Sequence, residues 1–265
     1  MPELPEVERA RLLAATSLSG KLIAGIVADE DTIVFQDIKP RAFCRRLKGR
    51  RVRAVCRKGK HLWFELDRPP HPSFHFGMTG RFTVYTRACD RPPYFKVEFR
   101  MDDGTRLAMI NKRRLGRIRL LEKPLLQPPI SRLGFDPLIE MISQSEFTRR
   151  LLARKAPVKA VLLDQSFAAG IGNWIADEIL YQARIDPHRR ACGLSEEEAQ
   201  RIRHRLRAII RRAVAVNADS SRFPRSWLFH YRWGKNRQAV TIQKDAIAFS
   251  EVGGRTTAWV PDLQS

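Results

Sequence analysis

Proline stands at position 2, and Glu3-Leu4-Pro5-Glu6-Val7-Glu8 follows it. A proline in this position is small enough for the initiator Met1 to be trimmed, which exposes a secondary amine as the new N-terminus. An α-amino group has a reference pKa near ~8, so neutral nucleophile is available at physiological pH. Such an amine can attack a carbonyl-like carbon, and the iminium formed by a secondary amine cannot lose its charge by N-deprotonation. Glu3 lies beside the amine and Glu6 one helical turn on, both suited to carrying protons. The same stretch also reads as an ordinary helix start. Pro5 fits the first turn, where its missing N–H costs nothing, Glu6 and Glu8 suit the positive helix end, and Leu4, Val7 and Leu12 form a buried face.

No rival chemistry stands out elsewhere. None of the six histidines occurs in H-E-x-x-H spacing, so neither a zinc site nor a Ser-His-Asp site is supported. Cys44, Cys56, Cys89 and Cys192 include no C-x-x-C pair and are expected as free, partly buried thiols of a reducing compartment. No metal and no cofactor are expected. The 265 residues carry a net charge of +21 with basic residues along the whole length, which points to an extended basic surface and a nucleic-acid partner. An anionic membrane is the rival partner. Against it, no apolar run approaches the ~20 residues of a bilayer span, and no signal peptide precedes Pro2. A soluble intracellular protein is expected.

The elements that must position these groups fall into a β-rich half and an α-rich half. Alternation predicts strands over Lys21–Val27, Thr32–Phe35, Arg51–Cys56, His61–Leu66, His75–Tyr85, Tyr94–Arg100, Arg106–Ile110 and Arg117–Leu121, arranged as an antiparallel sandwich. The proline-rich stretch Lys123–Pro137 reads as a linker. Helices are predicted over Ser143–Arg154, Val158–Leu163, Trp174–Ala183 and from Ser195 to about Ala215, the last opened by the capping box Ser195-Glu-Glu-Glu198. The tail from Ser226 to Pro261 returns to strands, with Gln238–Gln243, Ala246–Ser250 and Gly253–Pro261 as three of them. In Gly170-Ile-Gly-Asn173 the chain leaves two glycines to open a helix, a geometry that turns backbone amides and a side-chain amide toward an anion.

The opening octapeptide closely resembles the start of the formamidopyrimidine-DNA glycosylase/endonuclease VIII (Fpg/Nei) family, and the resemblance runs from Pro2 to Gln264. Its implied fold is α+β. An N-terminal catalytic β-sandwich with flanking helices (1–122) is followed by a linker (123–137) and a helix–two-turn–helix domain (138–225). A C-terminal β-hairpin "zincless finger" (226–265) ends the chain, as in plant and fungal members. Lys60, in Arg57-Lys-Gly-Lys-His-Leu-Trp63, matches a lysine that contacts a phosphate beside the lesion and supports catalysis. His75-Phe-Gly-Met-Thr-Gly80 and Asn111-Lys-Arg-Arg-Leu-Gly116 match the two insertion loops, so Met78, Arg113 and Leu115 would fill the space left by an extruded nucleotide. Asn173 would grip a phosphate, with Lys155 and Lys159 on the same basic strip. Arg255, after Gly253-Gly254, would hold the phosphates around the flipped nucleotide.

The implied activity is that of a bifunctional DNA glycosylase/abasic-site lyase acting on damaged double-stranded DNA, as a monomer. Pro2 would be the nucleophile, Glu3 would handle protons at O4′, and Glu6 would orient Pro2 and the site water. Leu115 offers less stacking area than the phenylalanine of bacterial members, and Arg222–His230 is short where they carry a longer loop. Formamidopyrimidines and hydantoins are therefore the expected substrates, with 8-oxoguanine at most a weak one. The alternative is a DNA- or RNA-binding protein with the same helix–two-turn–helix element and no catalysis. The compartment would be the bacterial cytoplasm or the nucleus.

Overall fold

Eight strands and two helices are built by the first half of the chain, as described by a computed structural model covering residues 2–233 and 238–265. Met1, whose removal is expected, lies outside the described residues, as do positions 234–237 of the expected β tail. The chain divides into two compact units, one of Pro2 with Glu6–Arg132 and one of Glu3–Pro5 with Leu133–Ser265.

In the first unit, helix α1 (Leu4–Leu18) is followed by β1 (Ile23–Ala28), α2 (Pro40–Leu47), β2 (Val52–Lys58), β3 (His61–Leu66) and β4 (His71–His75), then by β5 (Arg81–Tyr85), β6 (Phe95–Met101), β7 (Arg106–Ile110) and β8 (Arg117–Leu121). Two antiparallel four-stranded sheets result, ordered β1-β6-β7-β5 and β2-β3-β4-β8. Their inward residues share one core, so the expected sandwich is present. Phe99 of β6 meets Phe64 of β3 at 5.2 Å and Phe74 of β4 at 6.0 Å between ring centroids, both near edge-to-face.

Local chemistry overrides the sequence pattern at several places. Thr32–Phe35 is a turn rather than a strand, with Phe35 making a single parallel bridge to Ile118. The Asp31 carboxylate accepts from the amides of Ile33 (3.1 Å) and Val34 (3.2 Å) and so offers this backbone an alternative to a ladder. The run expected over 75–85 breaks into β4 and β5 around a turn. Helix α2 was not anticipated, although Pro40 at its start and the buried pair Phe43 and Leu47 carry its signal. On α1 the buried stripe is Val7, Ala10, Ala14 and Leu18, and the expected core residue Leu12 is 42% exposed.

The second unit packs α3 (Gln144–Leu152), α4 (Val158–Leu163), α5 (Asn173–Ala183) and α6 (Glu196–Ala215), and ends in the hairpin β9 (Ala248–Val252) and β10 (Arg255–Trp259). Leu4 contributes to the helical core, beside Phe135, Phe147, Phe167 and Trp174. The capping box is complete: Ser195 Oγ accepts from the Glu198 amide at 3.2 Å, and Glu198 accepts from the Ser195 amide at 2.8 Å. Among the described residues the tail holds two strands instead of three. Over 238–243 only Val240 bridges to Ala246, because Thr241 Oγ1 donates to the Asp245 carboxylate (2.8 Å) and accepts from its amide (3.2 Å), closing a turn.

Phe99 is fully buried where the two sheets face each other. Phe99→Ala should therefore destabilise the protein by about 3–5 kcal/mol. Urea unfolding followed by circular dichroism would show this as a lower midpoint at an unchanged slope.

Candidate active site and nucleic-acid interface

Glu3 is 98% removed from solvent, at 2% exposure, and its carboxylate is the anion that the glycine-rich turn receives. It accepts from the amides of Gly172 (2.8 Å), Trp174 (2.9 Å) and Ile175 (3.2 Å), three donors at the start of α5 that have no partner within the helix. Both glycines of the turn are needed for this approach. A Cβ on Gly172 would lie 2.2 Å from Glu3 Cδ, and one on Gly170, at φ +97°, would lie 2.8 Å from Leu4 Cβ. The chain thus supplies its own anion to these amides, while the Asn173 side-chain amide is turned to a backbone carbonyl.

Pro2 and Glu6 are both half-buried, Glu6 in the first turn of α1. Lys60 occupies the two-residue turn between β2 and β3, also half-buried. Buried Arg57 fixes that turn: it donates to Glu8 of α1 at 2.8 Å and to the Gly59 carbonyl at 3.0 Å. Glu8 also accepts from Arg11 at 2.7 Å. This pair ties the helix carrying Glu6 to the turn carrying Lys60, a role the sequence reading did not assign to Glu8 or Arg57.

The two expected insertion loops are brought together by Asn111, which is fully buried. Its Nδ2 donates to the Phe76 carbonyl at 2.9 Å, and its Oδ1 accepts from the Gly116 amide at 3.0 Å. Gly77, at φ +62°, passes so close that a Cβ there would lie 2.4 Å from the Leu115 carbonyl oxygen. Held by these contacts, Met78 and Leu115 are each 40% exposed, and Arg113 is exposed between them in sequence. Two apolar tips and a guanidinium on rigid neighbouring turns are the parts needed to wedge a base stack. The neighbouring Arg114 is instead bound to Asp31 at 2.9 Å.

His75, immediately before the first of these loops, pairs in register with His61, with ring centroids 4.8 Å apart. Its Nδ1 accepts from the Gly77 amide at 3.3 Å, which requires that nitrogen to be unprotonated. Burial, with Lys60, Arg119 and Arg117 nearby, pushes His75 down to about 4. Burial and the partner ring push His61 down to about 3. His71 and His75 are four residues apart, but on an extended strand that separates them by about 13 Å. Among the described residues, no group of three His, Cys, Asp or Glu could hold a metal. Cys44 and Cys56 are half-buried, whereas Cys89 and Cys192 are exposed, against the expectation that all four are partly buried.

In the second unit Asn173 is half-buried at the head of α5, and its Nδ2 donates to the Thr256 carbonyl of β10 at 2.8 Å. Arg255, the preceding residue, is exposed at the hairpin tip, as expected. Lys155 is exposed, but Lys159 is no part of a surface strip: it is fully buried and bound to Asp177 at 2.7 Å. Its burial follows from its place on α4 facing α5, where Asp177 supplies the compensating charge.

Two family models match this chain, the formamidopyrimidine-DNA glycosylase N-terminal domain over residues 1–118 and the formamidopyrimidine-DNA glycosylase H2TH domain over residues 133–225. A formamidopyrimidine-DNA glycosylase of Arabidopsis thaliana is 43% identical over 277 residues, spanning 100% of this chain and 71% of that protein. Another from Geobacillus kaustophilus is 33% identical over 279 residues and spans 100% of both. The Lactococcus lactis enzyme, solved non-covalently bound to DNA containing an abasic site, shares the fold with a TM-score of 0.87 over 99% of each chain at 23% identity. An N-terminal β-sandwich followed by a helix–two-turn–helix unit and a β-hairpin is the architecture of this class. The chain belongs to the formamidopyrimidine-DNA glycosylase family.

Two measurements follow from this geometry. Glu3→Gln places an amide N–H against amide donors, and unfolding in urea should show a loss of about 1–3 kcal/mol whatever happens to activity. For the histidines, the unfolded state takes up protons near pH 6.5 and the native state only near 4 and below, so stability is full above 6.5 and lost as pH falls through that window. Glu178, raised to about 7 by burial, tilts the profile the other way, so the informative quantity is the difference from His61→Gln. The variant should show a shallower fall between pH 6.5 and 5, and identical profiles would exclude the histidine pair as its source.

Proposed function

We propose that this chain is a bifunctional DNA glycosylase and abasic-site lyase of base excision repair that removes oxidised bases from duplex DNA. Formamidopyrimidines and hydantoins are the preferred lesions and 8-oxoguanine a weak one. The observation that carries the reading is the Pro2-Glu3 pair. Once Met1 is removed, the Pro2 secondary amine stands one peptide bond from a buried carboxylate that three backbone amides hold in place. The family membership supports the substrate class, and the charge of +21 suits a polyanionic partner.

In the proposed reaction the lone pair of the Pro2 nitrogen forms a bond to C1′ of the damaged nucleotide. The C1′–base bond breaks and the base departs with the electron pair and takes up a proton, while the nitrogen, now bonded to C1′, gives up its own proton and regains its lone pair. Glu3 handles the proton at O4′ as the sugar ring opens, leaving an iminium between Pro2 and C1′. That cation makes the C2′ proton acidic, and its loss expels the 3′-phosphate; a second elimination expels the 5′-phosphate. Glu6 orients Pro2 and the site water, and Lys60 binds the phosphate next to the lesion. Met78 and Leu115 keep the stack open while Arg113 bonds to the orphaned base. Lys155, Asn173 and Arg255 hold the backbone on either side. Residues 1–122 would then be the catalytic domain and 123–137 the linker, with 138–225 as the helix–two-turn–helix domain and 226–265 as the zincless finger. The protein would act as an intracellular monomer. Among the described residues no helix is long and apolar enough to cross a membrane.

The test is borohydride trapping on duplexes bearing an abasic site, a formamidopyrimidine, a hydantoin or 8-oxoguanine, with Met1 removal verified by mass. A covalent protein–DNA band should form with the first three and be weak with the last, and Pro2→Gly should abolish it. A band that survives Pro2→Gly would remove the nucleophile assignment. Tight binding without any band from correctly processed protein would make this a binding module on a glycosylase fold.

A further inference from the structure

A single buried carboxylate gathers four segments of the second unit. Asp177 of α5 is 2.7 Å from Lys159 Nζ of α4 and accepts from both Arg232 guanidinium nitrogens that face it, at 2.6 Å and 3.1 Å. It also accepts from the Ala258 amide of β10 at 3.2 Å. Lys159 and Asp177 have no exposed side-chain surface, and Arg232 has 5%. Lys159 then reaches past Asp177 into the hairpin, donating to Thr257 Oγ1 at 2.7 Å and to the Thr256 carbonyl at 3.1 Å. That carbonyl is the one Asn173 also binds, at 2.8 Å. One residue along the chain is Arg255. At the hairpin turn Gly253, with φ +60°, lies so near α4 that a Cβ would come within 3.1 Å of Ala160 Cβ.

Buried charges at this density are costly unless each is paired, and an apolar core would be cheaper. Their retention calls for a positional explanation. The hairpin is only two five-residue strands, and an isolated two-stranded hairpin is at best marginal in water. No metal-binding cluster is present among the described residues to fix it. We propose that Lys159, Asp177 and Arg232 form a metal-free lock that fixes hairpin β9–β10 on α4 and α5, and so registers Arg255 with Asn173 as one phosphate grip. The inference rests on the proposed DNA-binding roles of Asn173 and Arg255. Lys159 and Arg232 act as positioning residues: they touch no nucleotide themselves, and their effect on binding passes through Arg255.

The full-length protein tests this through its affinity for a duplex carrying a non-cleavable tetrahydrofuran abasic analogue, at one fixed salt concentration. Lys159→Met leaves Asp177 paired with Arg232, and Arg232→Met leaves it paired with Lys159, so each variant keeps a neutral pair in the core. Each should weaken binding about tenfold, equivalent to about 1.4 kcal/mol, with Lys159→Arg closer to the unaltered protein. Combined with Arg255→Ala, either should add no more than about twofold to the loss from Arg255→Ala alone, since the two act in series. Amides of Thr257 and Ala258 should exchange faster with deuterium while those inside α6 are unchanged. Unaltered affinity in both methionine variants, fully multiplicative losses, or unchanged exchange in the hairpin would overturn the lock. Loss of protection throughout α6 would also overturn it, by showing a general stability element. The glycosylase reading fails separately, through absence of a Pro2-dependent trapped band in the unaltered protein, and the exchange measurement is independent of that result.

Discussion

A carboxylate facing the start of a helix is the constraint on which the rest of this protein depends. The first amides of any α-helix lack intrahelical acceptors and carry partial positive charge. Here three donors at the start of α5 converge on Glu3, contributed from a point 170 residues earlier in the chain than Asn173 and delivered by the N-terminal segment itself. Satisfying α5 and anchoring the N-terminus are thus a single event. Pro2 is one Cα–Cα step, about 3.8 Å, from the anchored residue, so the position of the amine is limited by the same bonds. Removing the carboxylate therefore removes a helix cap along with the proposed proton carrier. Activity lost in a Glu3 variant says little about proton transfer until its stability is known.

A second constraint is the treatment of arginine. With 49 lysines and arginines against 28 acids, the simple expectation is a uniformly basic surface. Some of these cations are instead internal or committed to a partner. Arg57 and Arg232 are buried against Glu8 and Asp177, and the exposed Arg114 closes on the buried Asp31. Each of these arginines is paired beside a turn that carries a residue expected to meet DNA. The exposed Arg113 and Arg255 are presented by loops that such pairs hold in place. Electrostatic attraction and loop rigidity therefore come from the same residue type in two environments.

The sandwich strands were legible in the sequence because one face of each strand is buried, and burial leaves a period of two that any reader can count. The long helix was legible from Ser195 and Glu198, whose reciprocal bonds form as the spacing implies. The failures share a cause. At Thr32–Phe35 and Gln238–Gln243, Asp31 and Thr241 capture nearby amides with their side chains, and an apolar alternation cannot reveal that competition. Lys159 looked like surface charge because its partners Asp177, Thr256 and Thr257 are 18 to 98 residues away, and only tertiary structure brings them within 3.1 Å. The role of Asn111 is hidden for a similar reason: the carbonyl it donates to and the amide it accepts from lie on different turns. The pairing of Pro2 with Glu3 could be read from the sequence because it needs only adjacency in the chain.

Holding a small hairpin with buried charge instead of a metal has an electrostatic consequence. A four-thiolate zinc site carries a formal charge of −2, an unhelpful sign close to a phosphate backbone. The cluster here joins the Asp177 carboxylate to an ammonium and a guanidinium, with the Glu3 carboxylate also acting on the lysine, so it sets no net negative charge there. Burial lowers the lysine's proton affinity, while Asp177 opposes that effect and favours the charged form. The three side chains then act on an anionic strand through the position they give the hairpin and Arg255, without setting a net negative charge beside it.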